Sequence, residues 1–222
     1  MLFTKLHALY GRAKYIIHDE GVVYFIWLVI SRLRKSIFNH EIYYLYLKEL
    51  IAQDEIEFAP KIQNVTLEII CTPERFDDLN ARGYQFDSLV SRKMINKGAI
   101  AFCVFVNREL GNITWVATNR ETKKFIDPIP YSVDFQNGEV CHGSARTSAK
   151  YRKQGLVAYG NTRMFRFLRE EGKTVDKFTI PVSNVASLNA AAKYNPKIMK
   201  LEYCRFFFWV NTTITPITKG RN

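Results

Sequence analysis

Long apolar runs are missing from this 222-residue chain. Its most hydrophobic stretch, Gly21 to Ile30, is about half of the roughly 20 residues that a bilayer-spanning helix needs, and Arg32, Arg34 and Lys35 close it off. A transmembrane helix is therefore not expected. Cysteine is also scarce: Cys71, Cys103, Cys141 and Cys204 are scattered, with no C-x-x-C pair and no cluster among the four histidines. This argues against a structural zinc site or any other metal centre and for a reducing compartment, with three of the cysteines serving as small core residues. The N-terminus carries no signal-peptide cleavage pattern, so a cytoplasmic location is expected. Repeats and low-complexity segments are lacking, and a hydrophobic content of 47% is enough for a packed core.

Acidic residues are in deficit, 21 against 32 basic ones, which leaves a formal charge of +11. Residues 1–60 hold seven of each sign, so the whole surplus falls in residues 61–222. A basic surface attracts phosphate-bearing partners, among them CoA, nucleotide sugars, nucleic acid and anionic lipid, and charge alone does not choose among these.

What is present has a readable order. Residues 1–50 are strongly aromatic and read as helical, and the acidic patch Asp54 to Glu57 with Pro60 marks a boundary. Asn64 to Cys71 is β-branched and alternating, as a strand requires. Thr72 and Pro73 then suit the cap and first position of a helix running to about Leu79, with Glu74 in its first turn. Phe86 to Ile95 reads as a second helix. Ala99 to Val106 and Ile113 to Ala117 read as a strand pair joined through Asn107 to Asn112. Arg120 to Gly138, with Pro128 and Pro130, reads as an irregular insertion. A strand from about Val140, a helix from Leu156, a strand over Thr174 to Pro181, a helix from Ser183 or Asn184 to Lys193, and one or two strands over Ile198 to Thr215 complete the chain.

The central stretch runs from Val140 to Glu171. Its loop, Tyr151-Arg152-Lys153-Gln154-Gly155, precedes a helix whose apolar positions Leu156, Val157, Tyr159, Met164, Phe165, Phe167 and Leu168 recur mostly at steps of three and four. Unpaired N–H groups and the positive dipole end make such a helix start receptive to a diphosphate, and Arg152 and Lys153 add charge.

On this loop and on the order of elements after residue 60, the chain resembles the GNAT superfamily of acyl-CoA-dependent N-acyltransferases. Arg152, Lys153, Gln154, Gly155, Leu156 and Val157 are similar to its loop signature except at Val157, where the family has Gly or Ala. Asn184 to Tyr194 resembles a second family segment, a helix begun by Asn, although Asn195 and Pro196 replace its usual Gly-Phe ending. The resemblance implies an α/β (α+β) fold: a GNAT-like, mixed and mostly antiparallel central sheet flanked by helices. Residues 61–222 would form that domain and residues 1–60 an N-terminal helical extension.

It also implies roles. Acetyl-CoA or another acyl-CoA would be the co-substrate, with no metal. Ala145, Arg146 and Thr147 would offer backbone hydrogen bonds to the pantetheine arm, Arg152 to Val157 would hold the diphosphate, and Asn184 would contact the arm while capping its helix. The acceptor would be a small-molecule amine or a protein amine, attacking the thioester directly. Glu139 and His142 are the candidate bases; Ser187, three residues after Asn184, and Tyr194 are the candidate acids, since the family's usual Tyr position is Ala191. Each has a plainer reading as a solvated, capping or core residue.

Two other functional classes are weighed against a transferase. One is a GNAT-like module that binds acyl-CoA or a membrane without efficient turnover. The other is an RNA-binding domain stacking bases on Phe206 to Trp209; nucleic acid is not expected, because that run reads as a buried closing strand. Residues 1–50 would pack on the catalytic domain, on a second subunit in a homodimer, or at a membrane surface as a peripheral contact.

Overall fold

The computed structural model describes residues 16–18, 20–51, 57–86, 90–206 and 209–217. Helices expected over residues 1–15, the patch at 54–56, residues 87–89 of the second expected helix, and Phe207 and Phe208 lie outside these.

Helix α1 (Val22–Ile37) leads into β1 (Phe38–Glu49); β2 (Val65–Ile70), α2 (Pro73–Ala81), α3 (Arg92–Asn96), β3 (Ile100–Val106), β4 (Glu109–Ala117) and α4 (Arg120–Ile126) follow. Then come β5 (Glu139–Thr147), α5 (Leu156–Glu170), β6 (Val175–Pro181), α6 (Val185–Ala192), β7 (Lys197–Phe206) and β8 (Trp209–Pro216). The strands form one sheet in the order β2-β3-β4-β5-β6-β1-β7-β8. Every neighbouring pair is antiparallel except β5 and β6.

The helical reading of residues 1–50 is corrected at β1, a twelve-residue strand between β6 and β7. The physical reason is burial on both sides. Tyr43 and Leu45 enter the core under α2, α3 and α4, whereas Tyr46 joins Phe178, Ile180 and Ala191 under α6. A strand buried on both faces shows no polar alternation, so its apolar run is not separable from a helix by periodicity. Tyr46 lies opposite Phe178 in the ladder, their rings stacked with centroids 4.9 Å apart.

Local cap chemistry decides several boundaries. Thr72 caps α2 by accepting a hydrogen bond from Arg75 N at 3.3 Å, as expected from sequence. The helix expected over Phe86 to Ile95 is confined to Arg92–Asn96 because Ser91 caps it, its hydroxyl accepting from Met94 N. The turn between β3 and β4 is only Asn107 and Arg108, both at positive φ, so β4 starts four residues before the expected Ile113. Arg120 to Gly138 is not wholly irregular: Asn119 caps α4, accepting from Thr122 N at 2.9 Å. The buried closing strand expected over Phe206 to Trp209 is corrected at its described ends: Phe206 is 54% exposed and Trp209 83%, because they face each other at the end of the β7–β8 pair and β8 is the edge of the sheet.

The core has two sides. Leu79, Ile95 and Ile126 bring α2, α3 and α4 against one face of the sheet, and Met164 and Leu168 bring α5 against the other. This is a mixed, mostly antiparallel α/β sheet with helices on both faces.

Candidate active site

The site is set by a ladder that stops. β5 and β6 pair through only three positions, Glu139↔Val175, Val140↔Asp176 and Cys141↔Lys177. Beyond them the parallel strands part. Just there β5 carries a bulge against β4: Gly143 still pairs with Trp115 and Arg146 with Ile113, so Ser144 and Ala145 together face the single residue Thr114. Ser144 takes φ +48°, and its hydroxyl donates to Ile126 O at 2.9 Å. Gly143 is needed for that approach, since a Cβ there would stand 2.8 Å from the same carbonyl oxygen.

The opening holds a cavity of about 230 Å³ between the diverging strands and helices α5 and α6. His142, Asn161, Phe178, Asn184, Ser187 and Tyr194 are among its lining residues.

His142 comes from β5. Its Nδ1 lies 2.5 Å from Asp176 Oδ2 of β6, and its ring rests 4.1 Å from that of Phe178. Asp176 is fully buried, and its second oxygen, Oδ1, has no hydrogen-bond partner. Burial pushes the Asp176 carboxyl above the ordinary aspartate value, and the adjacent imidazole pulls against that shift.

Asn161 stands on the buried face of α5, 9% exposed, and its Oδ1 is likewise without a partner. Asn161 lines the cavity while its Oδ1 is itself shielded, so this unpaired acceptor suits an N–H donor on whatever enters once the amide turns toward the space. Tyr194 closes the wall: its hydroxyl donates to Ala158 O at 3.3 Å and its ring packs edge-on to Phe165 at 5.0 Å. Burial pushes its phenol up to about 12, so it is neutral near pH 7. Asn184 caps α6, its Oδ1 accepting from Ser187 N at 3.2 Å.

The loop before α5 lies beside this opening in sequence. Gly155 takes φ +82° at the helix start, a conformation other residues adopt with strain. Leu156 is buried with Val104, Val106 and Tyr151, whereas Val157 lines the cavity. Gln154 O accepts from Lys61 N at 2.8 Å, tying the loop to the chain before β2. Arg152 is ion-paired with Glu20, and Arg146 stands 3.7 Å from the same carboxylate. Lys153 is exposed at φ +64°.

Of the residues singled out from sequence, the structure thus brings His142, Ala145, Val157, Asn184, Ser187 and Tyr194 to one cavity. Glu139 is not among its lining residues. It is ion-paired to Lys177 at 2.5 Å and accepts from Asp134 N at 2.6 Å. Asn112 Nδ2 donates to Arg146 O and to the Thr147 hydroxyl, fixing the strand end by side-chain contact.

Sequence reasoning missed Asn161, Asp176 and Phe178. The signal for Asp176 was present: it has the strand parity of Phe178 and Ile180, a charged residue on an apolar row. Asn161 is similarly a polar residue on the row of Val157, Met164 and Leu168.

A second polar group is built around Asp127 and reaches the cavity lining through Thr179. Asp127 is 5% exposed and accepts from the Tyr131 hydroxyl at 2.8 Å, the Thr179 hydroxyl at 2.8 Å, Thr179 N and Ile129 N. Cys141 Sγ is 3.0 Å from the Tyr131 hydroxyl, and burial pushes both groups upward, so neither ionises near pH 7. Among the described residues no group of three or more His, Cys, Asp or Glu side chains is arranged to hold a metal ion.

A mixed sheet whose two parallel strands splay beside a bulge, with the start of a helix at the opening, is the arrangement expected from the resemblance of the sequence to the GNAT superfamily. No family model matches the chain, and no curated protein matches it in sequence. Similar solved structures include a GCN5-related N-acetyltransferase from Kribbella flavida (15% identity, TM-score 0.39, covering 72% of this chain and 54% of that one). A tandem GNAT protein from the clavulanic acid biosynthesis pathway matches at 12% identity and TM-score 0.45, over 82% and 55% of the two chains. The C-terminal domain of a putative lysylphosphatidylglycerol synthetase from Agrobacterium fabrum matches at 12% and 0.45, over 80% and 64%. The chain spans less than two thirds of the length of each of these, and at such identities no residue role is carried across.

Proposed function

We propose that this chain is an acyl-CoA-dependent N-acyltransferase that moves an acetyl or other short acyl group to a primary amine, with the splay between β5 and β6 as its active site. The observation that carries the reading is the cavity itself: a basic loop and helix start beside it, an unpaired Asn161 carbonyl in its wall, and a His–Asp pair at the parting of the strands.

The residues fit a pantetheine arm. Ala145, in the bulge, lies outside the regular ladder, where a strand-like ligand would add its own hydrogen bonds. Asn161 Oδ1 would accept from an amide N–H of that arm, and Arg152 and Lys153 would meet the diphosphate at the start of α5. Bound acyl-CoA supplies a thioester, whose carbonyl carbon the amine attacks.

His142 serves as base. Asp176 keeps the proton on Nδ1, so the other ring nitrogen, Nε2, takes the proton that the amine nitrogen loses as the new C–N bond forms. As the C–S bond breaks, the Tyr194 phenol protonates the departing thiolate. Solvent then returns the proton from His142 to the Tyr194 oxygen, which restores both groups. Ser187 supplies a second hydroxyl in the same wall.

The test is release of free CoA thiol from acetyl-CoA over a panel of primary amines. Wild type should turn over at least one of them, and His142→Ala should lose about a hundredfold or more in turnover while still binding acetyl-CoA. Binding without turnover on any amine would leave a binding module instead.

A further inference from the structure

We infer that α1 is a docking helix for an anionic membrane surface. The exposed large hydrophobic side chains of this protein are not scattered. Of eighteen among the described residues, eight lie between Ile17 and Ile30 and five between Phe206 and Ile217. Concentrated exposure of that kind marks a contact surface, whereas isolated exposed apolar residues need no explanation.

Val23 is 83% exposed and Trp27 60%, and Tyr24, Ile26, Val29 and Ile30 are all exposed beside them. The Tyr24 and Trp27 rings stack with centroids 5.9 Å apart. Amphipathic rings of this kind favour the boundary between headgroups and acyl chains. α1 is about 24 Å long at the usual rise of 1.5 Å per residue, and its apolar part is only the first nine residues. No helix among the described residues is long and apolar enough to cross a membrane. Such a helix can lie in an interface but not span it.

Charge chooses the occupant. From Gly21 to His40 the chain has no acidic residue, and positions 32, 34 and 35 are Arg, Arg and Lys, directly after the apolar stretch. Part of the second apolar group lies at the same end of the sheet: Phe38, where α1 passes into β1, pairs with Phe206, and Phe206 with Trp209, next to Val210, whereas Ile214 stands further along β8 opposite Leu201. With a net charge of +11 behind it, this end faces an anionic surface favourably, each cation near such a surface contributing on the order of 1 kcal/mol. A second copy of the same basic chain would bring like charge against like.

The experiment is co-sedimentation of the full chain with vesicles of phosphatidylcholine alone or mixed with phosphatidylglycerol, beside sedimentation velocity without lipid. Binding is expected to the mixed vesicles and to weaken with salt. The double variant Val23→Glu with Trp27→Glu should lose about tenfold or more in partitioning. Phe125→Glu, an exposed apolar residue on α4, should bind as wild type. No binding to mixed vesicles, or equal loss in both variants, overturns the inference. A dimer that Val23→Glu with Trp27→Glu dissociates, with no vesicle binding, assigns the surface to a second copy and overturns it as well.

Discussion

His142 Nδ1 and Asp176 Oδ2 lie 2.5 Å apart across the last paired positions of β5 and β6, where the two strands separate. The strand that carries the imidazole into the cavity is thus paired to the strand that orients it. Replacing Asp176 by Asn should keep the volume and lose the orientation. Turnover should fall about tenfold to a hundredfold while acyl-CoA affinity stays near wild type, a split that a merely destabilised protein would not show.

The same pair makes a pH prediction. Asp176 has its carboxyl raised by burial, so the folded chain holds that proton more tightly than the unfolded one. Its stabilising contribution is full below the ordinary value of about 3.9 and is lost as pH rises through the raised value. Denaturant melts across that window should show wild type losing stability with rising pH relative to Asp176→Asn. A difference that grows in the opposite direction would contradict the assignment.

Tyr194 has its phenol raised to about 12, again by burial. Its linkage has the same sign at higher pH: the contribution is present below about 10 and disappears as pH rises towards 12. Tyr194→Phe should remove that alkaline loss in melts. If the phenol protonates the thiolate, the variant should also lower turnover without weakening acyl-CoA binding.

Glu20 competes for the loop. Its carboxylate is paired with Arg152 and stands near Arg146, at the place proposed for the diphosphate. Arg152 is about half exposed, so the pair is worth no more than about 1 kcal/mol. Glu20→Gln should therefore raise acyl-CoA affinity by at most about fivefold, measured by calorimetry. A loss of affinity would mean that Glu20 positions the loop instead of competing for it.

Asp127 ties α4 and the segment after it to β6. Asp127→Ala would leave donors on Tyr131, Thr179 and Ile129 unpaired in a buried place. A cost of about 3 kcal/mol in denaturant unfolding is expected, without a change in the proton chemistry at His142.

Much of the site was legible because its signals are local. Gly155 before an amphipathic helix, Thr72 ahead of Pro73 and Asn184 three residues before Ser187 are cap chemistry, written within a few residues of where it acts. The partners that complete the site are not local. Asp176 meets His142 from 34 residues away, and only the pairing of β5 with β6 brings them together. Glu139 reads as a candidate base by strand parity, but Lys177 on the same neighbouring strand claims its carboxylate. β1 stayed hidden because its tyrosines and leucines serve both faces of the sheet and give no period to read.

The central claim, that acyl-CoA enters the splay between β5 and β6, is tested most directly by calorimetric titration of acetyl-CoA into wild type and into Ser187→Trp, which fills the cavity from its α6 wall. Micromolar-range binding to wild type and its loss in the variant is the predicted result. No binding to wild type, or equal binding to both, would contradict it.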